Sequence, residues 1–103
     1  MIEKSFGFIA APHTPMDGKG NVRLERIDDQ ADLLVRNGLA GVFVCGTTGE
    51  GPSLTTAERK AVAERWIQAA PEGFRVIVHV GHQSFRDSCD LSRHAADRGA
   101  DAV

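Results

Sequence analysis

Gly41-Val42-Phe43-Val44-Cys45-Gly46-Thr47-Thr48-Gly49-Glu50 is a short apolar run of strand type that ends abruptly in two hydroxyl residues bracketed by glycines. Such a strand delivers a small polar cradle. Glycines lacking a Cβ let the backbone turn sharply and let a ligand approach main-chain N–H groups, while Thr47 and Thr48 add hydroxyl donors suited to a carboxylate or phosphate. The two threonines are therefore candidate binding residues for a small anion. Taken alone, the motif fits a structural turn equally well.

Working outward, Phe8 to Ala11 reads as a first strand, closed by Pro12-His13-Thr14-Pro15 and the turn residues Asp17-Gly18-Lys19-Gly20. Leu24, Ile27, Ala31, Leu34 and Val35 share one face at helical spacing, with Asn21 as N-cap and Asn37-Gly38 as a left-handed stop. The second strand is Val42 to Cys45. Beyond the Gly-Thr-Thr-Gly-Glu loop, Thr55 and Glu58 have capping-box spacing. Ala57, Ala61, Val62, Trp66 and Ala69 mark the expected buried face of that helix, and Glu58, Arg59, Lys60, Glu64 and Arg65 its solvated face. Val76 to Val80 is a continuous β-branched run, the pattern of a parallel strand buried on both sides. Ser84 and Asp87 cap a third helix with Phe85, Cys89, Ala95 and Ala96 as its stripe and Gly99 as its stop. Ala100-Asp101-Ala102-Val103 then starts a fourth strand.

Three βα units joined through helices call for parallel strands in one sheet. Residues 1–103 read as the N-terminal part of a single (β/α)8 barrel domain, three βα units plus the start of strand 4. A complete barrel takes about 250 residues, so the chain is expected to be a truncated one. The dinucleotide fingerprint of a doubly wound sheet, Gly-x-Gly-x-x-Gly after the first strand, is missing.

Composition narrows the function classes. Twelve Lys+Arg against fourteen Asp+Glu give a formal charge of -2 without a basic stripe, which leaves nucleic-acid binding without support. The run Phe6 to Ala11 meets Pro12 too early for a signal-peptide core or a spanning helix, so no membrane partner is expected and the cytoplasm is the expected location. Cys45 and Cys89 lack Cys-x-x-Cys spacing and read as packing residues. His13, His79 and His82 fall at or near strand ends, but no carboxylates stand at ligand spacing, so no metal is expected. His79 reads as a buried satisfied histidine, His82 as a loop residue, and His94 as helix surface. Glu50 is expected to hydrogen-bond loop amides rather than act as an acid. Trp66 is expected in the core. A P-loop reading of Gly46 to Ser53 fails because Pro52 stands where its lysine belongs.

Thr14-Pro15-Met16, Gly46-Thr47-Thr48-Gly49-Glu50-Gly51, Leu54, Glu58-Arg59, His79-Val80-Gly81 and Gly99-Ala100-Asp101-Ala102 resemble the dihydrodipicolinate synthase and N-acetylneuraminate lyase family along the whole chain. Thr14-Pro15-Met16, Gly49-Glu50-Gly51 and His79-Val80-Gly81 look most like its N-acetylneuraminate lyase branch. The resemblance implies a (β/α)8 barrel acting as a class I aldolase without metal or organic cofactor. The reaction it implies is reversible cleavage of N-acetylneuraminate into pyruvate and N-acetylmannosamine, by a homo-oligomer, usually a tetramer. It also implies that a lysine on the sixth strand forms a Schiff base with the keto group, that a tyrosine on the fifth moves protons, and that Thr47 and Thr48 hold the pyruvate carboxylate.

The chain departs from that pattern in one respect. It contains no tyrosine, and its lysines, Lys4, Lys19 and Lys60, precede the first strand, sit in a turn, and lie on a helix. No catalytic residue of the family is present, so the isolated chain is expected to be inactive. Two alternatives stay open: dihydrodipicolinate synthase or another 2-keto acid aldolase, and a non-catalytic half-barrel that binds a carboxylate or a partner chain through open sheet edges.

Overall fold

A computed structural model describes residues 7–103; Lys4 and Phe6 lie outside the described residues. The elements run β1 (Ile9–Ala10), α1 (Glu25–Arg36), β2 (Gly41–Val44), a single 3-10 turn (Gly51–Ser53), α2 (Thr56–Ala69), β3 (Arg75–Val78) and α3 (Phe85–Arg98). The sheet has the order β1-β2-β3 with both pairings parallel. Ile9 lies opposite Gly41, and Gly41 to Val44 pair in step with Arg75 to Val78. A parallel bridge from Ile77 to Ala102 starts the fourth strand, with Val78 N–H donating to the Ala102 carbonyl at 3.0 Å. The predicted order of three βα units is thus present.

The core lies between the sheet and the helices. Val42, Val44, Val76 and Val78 point toward Ile27 and Ala31 of α1, Val62, Ala63 and Trp66 of α2, and Ala95 of α3. Their alternation with half-buried Phe43 and Ile77 means that only one face of β3 is covered among the described residues, where the apolar run had suggested two. The second apolar face is the one a closed barrel turns inward.

Helix ends follow local chemistry in two cases and not in the third. Thr55 accepts from Glu58 N–H at 3.0 Å while the Glu58 carboxylate accepts from Thr55 N–H at 2.8 Å, completing the capping box. Ser84 accepts from Asp87 N–H, and Gly99 closes α3 at φ 96°. Asn21, expected to cap α1, does not: Leu24 precedes the helix without a side-chain cap. The Asp17 carboxylate draws in the Asn21 and Lys19 N–H groups and the Asn21 amide, closing a turn flanked by the Met16–Val22 bridge. Those hydrogen bonds, Asn21 N–H foremost, hold the Asp17 carboxyl below its ordinary range.

Two helix faces are rotated from expectation. On α2, Arg59, Val62, Ala63 and Trp66 are buried at the i, i+3, i+4, i+7 spacing, whereas Ala57 is exposed. On α3, Leu91 and Ala95 point inward; Phe85 is 80% exposed, and Ala96, about 100° further round, faces solvent. His94 is not surface: its side chain is 15% exposed and its Nε2 lies 3.8 Å from Glu64 of α2.

Candidate functional site

Parallel strands deliver their following loops to one rim, and three loops meet here: Ala11 to Thr14 after β1, Cys45 to Glu50 after β2, and His79 to Gln83 after β3. Thr47 and Thr48 lie in the middle loop and are both exposed. Their turn closes on itself, Glu50 N–H donating to the Thr47 carbonyl at 3.0 Å and Gly51 N–H to the Gly46 carbonyl at 3.0 Å. Two non-glycine residues bracket it in left-handed backbone, Cys45 at φ 61° and Glu50 at φ 61°. Such conformations cost energy and persist where the surroundings over-determine them.

Glycine is required just after that bracket and crowded within it. A Cβ at Gly51 would land on the Cys45 carbonyl, and one at Gly49 would come within 3.1 Å of Cys45 N and 3.2 Å of the Pro12 carbonyl oxygen. The Gly49 backbone therefore lies flat against the segment after β1. There the buried Thr14 hydroxyl donates to the Gly49 carbonyl at 2.6 Å. Glu50 was expected to hydrogen-bond loop amides; instead it is exposed and makes no capping hydrogen bond.

Arg59 is the largest departure from the sequence reading. It is 3% exposed, with its guanidinium donating to the Gly81 carbonyl at 2.8 Å and the His79 carbonyl at 2.7 Å. Among the described residues no carboxylate within 4.0 Å pairs with it, and its Nε finds no hydrogen-bond partner there. The fork spans the backbone after β3, and its own carbonyl faces Cys45 Sγ at 3.9 Å. Burial pushes the Cys45 thiol up to about 11, against a smaller opposing pull from the Arg59 charge. The helical spacing to Val62, Ala63 and Trp66 was the signal that could have placed Arg59 inward. Beside it, Gly51, Pro52, Leu54, Gly81, His82 and Gln83 line an open depression of about 450 Å³. Thr47 and Thr48 do not line it.

The histidines do not converge. His13 is exposed, with its carbonyl accepting from Gln30; His79 is half-buried with its ring 5.7 Å from that of Phe43; His82 Nδ1 accepts from Ser84 N–H. Among the described residues no three His, Cys, Asp or Glu come together to hold a metal. Lys60 pairs with Asp90 of α3 at 2.6 Å, and Lys19 sits in the exposed turn after β1, so neither reaches a strand end. No described helix is long and apolar enough to cross a membrane.

Known proteins are similar to this chain in sequence and fold. N-acetylneuraminate lyase A of Xenopus laevis is 48% identical over 99 residues, 94% of this chain and 32% of the relative. The solved N-acetylneuraminate lyase (sialic acid aldolase) of Aliivibrio salmonicida superposes with a TM-score of 0.92 at 46% identity, over 96% of this chain and 33% of that one. A prophage protein of the dihydrodipicolinic acid synthase family from E. coli K12, solved in complex with pyruvate, gives a TM-score of 0.87 at 30% identity over 92% and 32%. The chain thus spans about a third of the length of the relatives it matches. Its parallel α/β architecture is the N-terminal part of the (β/α)8 barrel those enzymes share. Because residues 4–103 also match the dihydrodipicolinate synthetase family, the chain belongs to that family.

Proposed function

We propose that this chain is the carboxylate-holding portion of an N-acetylneuraminate lyase-type class I aldolase. The observation that carries the reading is the exposed Thr47-Thr48 pair, held in a strained, glycine-locked turn at the carboxyl end of parallel strands, where barrels of this kind place their chemistry. Two hydroxyls and the amides of a tight turn suit the carboxylate of a keto acid, and fixing that end orients the carbonyl carbon for attack. A lysine amine then adds to the keto carbon with loss of water, and the resulting iminium takes up the electron pair as the carbon–carbon bond beyond breaks. Neither the lysine nor the proton-relaying tyrosine is among these residues, so the 103 residues alone are read as inactive. The pyruvate complex of the E. coli relative and the lyases among the relatives support the substrate class.

The test is Thr47→Val and Thr48→Val, singly and together, in the natural polypeptide carrying this sequence. Loss of two charge-assisted contacts at about 1.5 kcal/mol or more each should raise the KM for pyruvate in the condensation direction by roughly a hundredfold for the double variant. An unchanged pyruvate KM overturns the reading. Comparing N-acetylmannosamine with aspartate semialdehyde as the aldehyde partner separates a lyase from a dihydrodipicolinate synthase. The reading extends to a homotetramer, checked by sedimentation.

A further inference from the structure

Thr14 carries an inference of its own. Among the described residues two polar or charged side chains are buried, Thr14 at 7% and Arg59 at 3% exposure, and both donate to backbone carbonyls of rim loops. A threonine hydroxyl withdrawn from water is ordinarily spent on a local backbone group. This one reaches across 35 residues to the Gly49 carbonyl, next to Thr48.

The remaining hydrogen bonds of Gly46 to Glu50 stay close to home. They join Glu50 to Thr47, Gly51 to Gly46, and Ser53 to Glu50, so they shape the turn without fixing it in space. The Thr14 bond is the one among the described residues that ties this loop to another strand's exit. Its 2.6 Å length and the packing of Gly49 against the Pro12 carbonyl set both the distance and the angle at which the loop leaves the sheet. We propose that Thr14 is a positioning residue for the keto acid carboxylate, acting through the Gly49 carbonyl to hold the Thr47 and Thr48 donors in register. The inference rests on the functional reading above. Binding donors must be held to a fraction of an ångström, and a shell that locks them supplies that precision.

The experiment measures condensation kinetics of the natural polypeptide with Thr14→Val, which replaces the hydroxyl by a methyl group of similar size, and with Thr14→Ser, which keeps it. Thr14→Val should raise the pyruvate KM about tenfold while leaving the aldehyde KM and kcat within about twofold; Thr14→Ser should restore the pyruvate KM to within about threefold of wild type. A purely structural role would lower the melting temperature and the active fraction without separating the two KM values. If Thr14→Val does not fold, Thr14→Ala reads the same quantity. Failure of both hydroxyl-free variants to fold assigns the hydroxyl to the fold and overturns the inference, as does an unchanged pyruvate KM in a folded variant. Thr47→Val, run in parallel, keeps the two ideas apart. If it raises the pyruvate KM and Thr14→Val does not, only the positioning role falls; if neither does, the functional reading falls.

Discussion

Replacing Arg59 by methionine tests whether the buried guanidinium stabilises the rim or is merely tolerated there. The variant keeps the length and much of the apolar stem while deleting two hydrogen bonds, at 2.8 Å to Gly81 and 2.7 Å to His79. Bonds from a charged donor contribute about 1.5–3 kcal/mol each, which sets a ceiling of about 6 kcal/mol. Two features lower that figure. Gly81 is exposed, so its carbonyl regains water when the fork is removed, whereas half-buried His79 regains less. Among the described residues the cation also has no carboxylate partner within 4.0 Å, so its removal returns part of a desolvation cost. The balance is a destabilisation of about 2–4 kcal/mol. Arg59→Lys should fall between, because one ammonium retains the charge but cannot span both carbonyls in the planar fork's geometry. Equilibrium urea unfolding of the natural polypeptide supplies the magnitude, and limited proteolysis between His79 and Gln83 reports where the structure loosens. Equal or greater stability of Arg59→Met would refute the clamp: the desolvation cost would then exceed the two bonds, and Arg59 would owe its place to something other than stability.

Cys45 and Thr55 give smaller tests. The Cys45 thiol, raised from 9.0 to about 11 by burial, stays protonated in the folded chain when the unfolded chain has already lost its proton. Its contribution is therefore intact below pH 9 and is lost as pH climbs toward 11, by about 3 kcal/mol in all; wild type and Cys45→Ala should differ in their stability slopes over that window alone. At pH 8 iodoacetamide should label half-buried Cys89 well before Cys45, and equal rates would contradict the burial. Thr55→Ala opens the capping box of α2 and should cost about 1 kcal/mol in urea unfolding, with Thr55→Ser close to neutral; no difference between the two would mean the box is not used.

Where local chemistry was decisive, the residues announced the structure. The order of strands and helices followed from short apolar runs and period-3.6 stripes, and the Thr55–Glu58 box, the Ser84 cap and the Gly99 stop formed as their side chains and missing Cβ require. The Gly-Thr-Thr-Gly-Glu stretch was legible as an exposed turn because apolar residues stop and glycines begin there. Asn21 failed as a cap for an equally local reason: Asp17, four residues earlier, competes for it with two carboxylate oxygens.

Packing decided the rest. A sequence can say that Arg59 is charged, but not that two carbonyls after β3 will stand at the reach of its fork and let it replace water inside the molecule. Nor could Thr14 be matched to Gly49, 35 residues away, until β1 and β2 paired in parallel and brought their exits side by side. Composition and periodicity alone determined that this is a parallel α/β chain with a hydroxyl-bearing rim. Tertiary contact determined which polar groups hold that rim, because a hydrogen bond between distant residues depends on sub-ångström placement that one-dimensional spacing does not encode.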